Sequence, residues 1–322
     1  MQGAAYLAGP YKGAPLSLAI VTPAVAGPFD LGTVVVRTAL YVDPETTQIR
    51  AVSDPLPTIL QGIPLEVRSV AVTVDRPSFT LNPTSCDPTQ VLAGALSVFD
   101  ATTTASSPFQ VGGCASLRFG PKLTLRLKGG VKRSKYPALR AVVTAEPGQA
   151  NIGRVSVAMP RALFLAQEHI KTVCTRVQYR AGQCPPGAVY GKARAVTPLL
   201  DEPLEGPVYL RSSDNPLPDL VVALKGQINV DLVGRIDSHR GGIRTTFDTV
   251  PDAAFSRFVL EMPGGKKSLL VNSRNFCSQV FRATVEVDGQ NGKTADQRPA
   301  VVNPACKKLK PKRGKGRRGA AR

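Results

Sequence analysis

One ordered series of residues occurs twice in this chain, at a constant offset of 194 positions over residues 36–57 and 230–251. Ile49-Arg50, Asp54 and Pro57 fall on Ile243-Arg244, Asp248 and Pro251, and Val42-Asp43 falls on Ile236-Asp237. Upstream, Tyr6-Leu7 matches Tyr209-Leu210, and the apolar run from Pro15 to Val21 matches that from Pro218 to Leu224. Downstream, Cys86 and Cys114 stand 28 residues apart, and Cys277 and Cys306 stand 29 apart. A single matched tripeptide arises by chance, whereas an ordered series ending in equally spaced cysteines implies a duplicated structural unit.

Each copy must fold by itself, so Cys86 is expected to pair with Cys114 and Cys277 with Cys306. Cys174 and Cys184 then pair with each other, one arrangement of the fifteen open to six cysteines. Zinc needs paired ligands a few residues apart, and the chain has no Cys-x-x-Cys and only two histidines. Disulfides persist in oxidising compartments, which predicts export; the alternative is six buried thiols in a cytosolic protein. The short loop restricts the unfolded chain by about 2.5 to 3 kcal/mol and each longer loop by about 3 to 4 kcal/mol.

Residues 119–208 have no equivalent ahead of the first copy. The repeat therefore divides the chain into a trailing half-module (1–118), a leading half-module (119–208), a second trailing half-module (209–308) and a basic tail (309–322). On this division the chain starts in mid-unit, with the matching leading half and any secretion signal expected upstream of Met1; a complete three-module protein is the competing reading. The segment from Ala14 to Pro28 mimics a signal peptide, but Pro15 and Pro23 interrupt it, and it has a counterpart deep inside the chain. No apolar run is long enough for a membrane-spanning helix.

The 29 glycines and 28 prolines, with 6% aromatic residues, suit short strands joined by many turns. Ile228, Val230, Leu232, Gly234 and Ile236 alternate with polar residues, as do Phe281, Ala283, Val285 and Val287, so both stretches are half-buried antiparallel strands. From Leu65 to Val74 the same alternation flips phase at Ser69, which suggests a β-bulge or a change of strand. Residues 43–48, 237–242 and 288–292 are hairpin loops. Pro160 followed by Leu163, Ile170 and Val173 predicts the one short helix, near 161–174. The expected class is all-β: tandem antiparallel β-sandwich-like modules.

No catalytic motif stands out. Neither Gly-x-Ser-x-Gly nor His-Glu-x-x-His occurs, and His169 and His239 are read as satisfied or solvated. Gly129-Gly130 and Gly264-Gly265-Lys266-Lys267 lack phosphate-loop spacing, and Asp288 to Gly292 offers too few ligands for calcium. Paired carboxylates for glycoside hydrolysis need no sequence motif, which leaves a secreted carbohydrate-active enzyme as an alternative function; Asp201, Glu202 and Glu205 are read as solvated turn residues. No cofactor is expected.

Strings such as YLAGPYKGAP, PAVAGPFDLGTVVVRTALYVDPETTQIRAVSDPLPTILQGIPL and TPLLDEPLEGPVYLRSS resemble uncharacterised extracellular repeat proteins of high-GC Actinobacteria. The resemblance covers nearly the whole chain up to about Cys306 and implies secretion and tandem repetition, without an activity or site residues.

The C-terminal stretch carries Lys307, Lys308, Lys310, Lys312, Arg313, Lys315, Arg317, Arg318 and Arg322 without an acid, half of the formal net charge of +18. Such a segment cannot fold alone, and it suits adhesion to anionic cell-wall polymer or lipid headgroups. Two other readings of this charge are a solvated, functionally idle tail and a nucleic-acid binder, though no aromatic stacking platform adjoins the basic run. The function expected is that of a non-enzymatic structural or adhesive component of the cell surface, partnered by neighbouring repeat units.

Overall fold

Turn chemistry zips the first module together in chain order. Strands β1 (Ala4–Ala8), β2 (Leu16–Ala26), β3 (Phe29–Val42) and β4 (Ile49–Ser53) form an antiparallel sheet in the order β1-β2-β3-β4. The β3–β4 loop is held by Asp43, whose carboxylate accepts hydrogen bonds from the backbone N–H of Glu45 and Thr46 at 3.0 and 2.8 Å, an Asx-type turn. The segment that mimics a signal peptide is β2, paired along its length with β3. The computed structural model describes residues 2–306 except Asp75, Ser78, Arg240 and the side chain of Ala26. The nine cations from Lys307 to Arg322 thus lie outside the described residues.

Two small hairpins follow, β5 (Ile59–Leu60) with β6 (Ile63–Pro64), and β7 (Thr89–Leu96) with β8 (Thr102–Phe109). Residues 65–74 do not form the strand that their alternation predicts, and Val67, Val70, Val72 and Val74 are all more than half exposed. The pattern is that of a strand, but a strand also needs a neighbour to hydrogen-bond, and none lies alongside among the described residues.

The remaining chain supplies β9 (Lys122–Lys128), β10 (Ala138–Thr144), β11 (Ile152–Ala158), β12 (Leu163–Leu165), helix α1 (Arg176–Arg180) and β13 (Val189–Val196). It continues through β14 (Leu204–Arg211), β15 (Asp219–Lys225), β16 (Asn229–His239), β17 (Gly242–Phe247), β18 (Arg257–Met262), β19 (Leu270–Asn272), β20 (Thr284–Gly289) and β21 (Val301–Val302). Eleven of these strands make one curled sheet, ordered β20-β11-β17-β16-β15-β14-β13-β18-β10-β9-β21. Its two ends meet. Gln297 and Val285 exchange backbone hydrogen bonds at 2.8 and 2.9 Å, and β21 runs parallel to β9 at Leu125 and Arg126. Residues 294–302 thus form the stave that joins β20 to β9 and closes the sheet into a barrel. The sequence boundary between 208 and 209 falls inside β14, so the leading and second trailing halves share one sheet and one core.

Inward-facing residues fill the barrel in two lobes. Leu123, Leu125, Leu127, Val285, Val287 and Phe281 pack in one, and Val208, Leu210, Val222, Leu224 and Leu260 in the other. The ribbon of β12 and β19 lies between them, with Leu163 and Leu270 in the first lobe and Leu165 and Leu269 against the second. Close packing is enforced at Gly206, where a Cβ would stand 1.7 Å from the carbonyl oxygen of Ala223, so no larger residue fits.

The helix expected near 161–174 is not there. Leu163–Leu165 is strand β12, a short 3₁₀ turn follows at Gln167–His169, and the α-helix begins after Thr175. The start signal is a capping box: the Thr175 hydroxyl accepts from the Gln178 backbone N–H at 3.1 Å, and the Gln178 side chain accepts from the Thr175 N–H at 3.0 Å. The apolar spacing of Leu163, Ile170 and Val173 reflects burial of an irregular segment against both lobes rather than one face of a helix.

All three expected disulfides are present, Cys86–Cys114, Cys174–Cys184 and Cys277–Cys306. The first module is fastened to the barrel beside its disulfide. The Asp252 carboxylate accepts from the Thr84 N–H and hydroxyl at 2.7 Å each and from the Ser85 N–H at 2.8 Å, and Asn151 donates to it at 2.8 Å. At the other end, the Asp231 N–H donates to the Pro44 carbonyl at 2.7 Å.

Candidate functional site

Strand β9 alternates Leu123, Leu125 and Leu127 into the core with Lys122, Thr124, Arg126 and Lys128 out to solvent. The pleat fixes this division, and register carries it across the neighbouring strands. Arg140 on β10 stands opposite Arg126 on one side and Glu261 of β18 on the other; Thr144 stands opposite Lys122 and Arg257. On β13, Lys192 pairs in register with Glu261, and Arg194 with both Val259 and Glu205. Four adjacent strands thus present seven cations on one outer face: Lys122, Arg126, Lys128, Arg140, Arg257, Lys192 and Arg194.

Three carboxylates offset part of that charge. Glu261 bridges Arg140 at 3.0 Å and Lys192 at 3.3 Å, Glu205 meets Arg194 at 3.2 Å, and Glu146 lies 3.7 Å from Lys122. Arg126, Lys128 and Arg257 make no ion pair among the described residues, and Arg126 and Arg257 line a shallow groove of about 520 Å³ with Thr124, Arg140, Val142 and Pro299. Guanidinium groups on a rigid sheet suit bidentate contact with phosphate or carboxylate oxygens.

The hydrogen bond from Arg140, and then that from Lys192, holds the Glu261 carboxyl below its ordinary value against the opposing effect of burial. A carboxyl lowered in the folded state stabilises the fold above its unfolded value and loses that contribution as pH falls through the folded value, below about pH 4. Glu261→Gln is therefore expected to cost less than about 1 kcal/mol at neutral pH, since the pair is partly exposed, and to flatten the acid limb of a thermal-stability profile.

A second concavity, about 410 Å³, lies between the β3–β4 loop and α1 and is lined by Pro44, Glu45, Arg176, Tyr179, Arg180, Arg211 and Asp231. Burial, followed by a hydrogen bond with Asp231, pushes the Tyr179 hydroxyl well above its ordinary range, and burial raises Asp231. Arg176 pairs with Asp214 at 2.7 Å and Arg211 with Asp219 at 3.4 Å. This cleft is an internally balanced contact between the first module and the barrel, with less unpaired positive charge than the basic face.

The other residues singled out in sequence take structural positions. His169 lies with its Nδ1 2.8 Å from the Ser268 carbonyl and its ring against Tyr136, and His239 ends β16 at a hairpin. Asp201 and Glu202 are exposed, while Glu205 faces Arg194 across strands. Gly129 and Gly130 make a turn whose carbonyls accept hydrogen bonds from the Asn303 and Asn272 side chains. The basic face is absent from the sequence expectations. Its signal, Lys122-x-Thr124-x-Arg126-x-Lys128, stands in the sequence at period two.

The fold and the face define a disulfide-linked all-β protein with one curled, closed sheet that is basic on one side. Its three disulfides suit an oxidising, extracellular setting, and no helix among the described residues is long and apolar enough to cross a membrane. No protein-family model, curated protein or solved structure matches the chain.

Proposed function

We propose that this is a non-enzymatic, extracellular structural protein of the cell surface, built of repeated β-modules, that adheres to an anionic polymer through the outer face of its barrel. The observation that carries the reading is the placement of Arg126, Lys128 and Arg257 without acidic partners among the described residues, beside Arg140 and Lys192 on the same rigid face. Cations on neighbouring strands match the repeating charge of a phosphate-bearing polymer, and the sheet beneath them needs no backbone ordering on binding. The resemblance to actinobacterial secreted repeat proteins points the same way, and the basic tail adds nine positive charges to the chain.

Binding of the full chain to polyglycerol phosphate, with a neutral glucan as control, tests the reading. Affinity is expected to fall steeply with salt, as counterion release requires. Reversing Arg126, Lys128 and Arg257 to glutamate should weaken binding at least about tenfold and flatten the salt slope. Binding that survives this triple reversal and vanishes on deletion of residues 307–322 would assign adhesion to the tail instead, and tighter binding to duplex DNA than to the polymer would favour a nucleic-acid partner.

A further inference from the structure

We infer that residues 1–118 form an open half-barrel that takes up, by strand complementation, a leading half-module of the kind seen at 119–208, supplied from outside residues 1–306. In the closed barrel the second trailing half never pairs only with itself. Its strands β14, β15, β16 and β17 are bordered by β13 on one side and β11 on the other. Strand β18 lies between β10 and β13, β20 pairs with β11, and β21 pairs with β9. Every one of these flanking strands belongs to residues 119–208.

The first module repeats the trailing arrangement without its flanks. Strands β1 to β4 follow the same order as β14 to β17. The β7–β8 hairpin lies between Cys86 and Cys114, as β20 and the 294–302 stave lie between Cys277 and Cys306. Ile236 pairs with Thr245 in the barrel, whereas the aligned Val42 pairs with Ile49, a shift of two residues that keeps each side chain on its face. Among the described residues, the outer edges of β1, β4, β7 and β8 hydrogen-bond to no strand.

Burial records the same deficit. Leu210 is fully buried, while the aligned Leu7 is 56% exposed. Val285 and Val287 on β20 are buried, while Val91 and Leu92 on β7 are 58% and 71% exposed. The failure of 65–74 to form a strand fits in detail. At the offset of 194, residues 63–68 align with β18, the strand that has leading-half neighbours on both sides. β1 and β4 lose one neighbour each and remain strands; of the segment that loses both, only Ile63–Pro64 pairs, in the local β5–β6 hairpin, and residues 65–68 form no strand. Exposed edges with apolar faces are templates for pairing with another chain.

Stoichiometry identifies the occupant. Residues 1–306 hold two trailing halves and one leading half, and that leading half is used within residues 119–306. A second copy that lent its 119–208 would open its own barrel, so copies of this chain cannot satisfy one another. The partner is a polypeptide with four strands patterned as β9, β10, β11 and β13 are, whose own trailing half is not engaged. The inference is independent of the adhesive role of the basic face.

Hydrogen exchange of the full chain, with and without a separately prepared polypeptide of residues 119–208, tests this. With the donor present, exchange in β1, β4, 65–74 and β7 is expected to slow at least about tenfold, with β15 unchanged. A full chain carrying Ala51→Cys, which aligns with Thr245, should form a disulfide with a donor carrying Val157→Cys, the partner of Thr245 in the barrel, and not with one carrying Ser156→Cys. Three results would overturn the inference: no slowing with donor, protection of these segments in the chain alone equal to that of β15, or protection that appears with rising chain concentration in the absence of donor, which would make a second copy the occupant.

Discussion

Leu210→Ala is expected to lower the unfolding free energy of the barrel by about 3 kcal/mol, whereas Leu7→Ala at the aligned position should cost less than about 0.5 kcal/mol. Leu210 is fully buried on β14 among Val208, Leu220 and Val222, and its carbonyl accepts the Cys174 N–H at 2.9 Å. Truncation removes its apolar contacts and leaves a cavity that these neighbours, fixed on strands in a closed sheet, cannot fill. Leu7 is 56% exposed on an edge strand, so its truncation removes little that water did not already touch. Urea denaturation, followed by signals from each module, gives both costs from midpoints at constant slope. Equal costs would mean that Leu7 is buried in solution. Addition of the 119–208 donor should raise the cost of Leu7→Ala toward that of Leu210→Ala, because the donor supplies the missing neighbours.

What the sequence discloses is local, and what it conceals is who pairs with whom. Alternation through Ile228 to Ile236 and Phe281 to Val287 identifies inward faces because a strand's period is a property of its own backbone. The hairpin at Asp43 and the capping box at Thr175 are equally local, although the apolar spacing of Leu163, Ile170 and Val173 is the more conspicuous helix signal. That spacing misleads because Leu163 is buried by pairing with Asn272, more than a hundred residues away. The stave at 294–302 has no apolar alternation of its own and forms because β20 and β9 flank it. The 65–74 stretch is the converse case, a strand pattern left without a partner. The basic face is visible one strand at a time, but Arg126, Arg140 and Arg257 become neighbours only through registers spanning most of the barrel's sequence.

Removing the Cys277–Cys306 bridge by double substitution to serine is expected to destabilise the barrel by about 3.5 kcal/mol, the chain-entropy value for a loop of 29 residues. For a domain of this size that corresponds to a fall in Tm of about 10 °C. The loop it closes contains β20 and residues 294–302, the two staves through which the curled sheet meets itself, and Phe276 and Phe281 stack at 5.0 Å within the core beside it. Without the bridge, these staves are held by hydrogen bonds and by buried side chains such as Phe276, Phe281, Val285, Val287 and Val301, so opening the seam exposes the first lobe and the whole sheet unfolds with it. The Cys86–Cys114 bridge closes a loop of nearly the same length but encloses the exposed β7–β8 hairpin, which contributes no buried strand to a core. Its removal should therefore leave the barrel's transition in place, affecting only the first module. Calorimetry of the two double-serine variants separates these outcomes. A fall in the barrel's Tm of similar size in both would mean that the first module is already an integral part of the barrel's cooperative unit rather than a half awaiting its own strands.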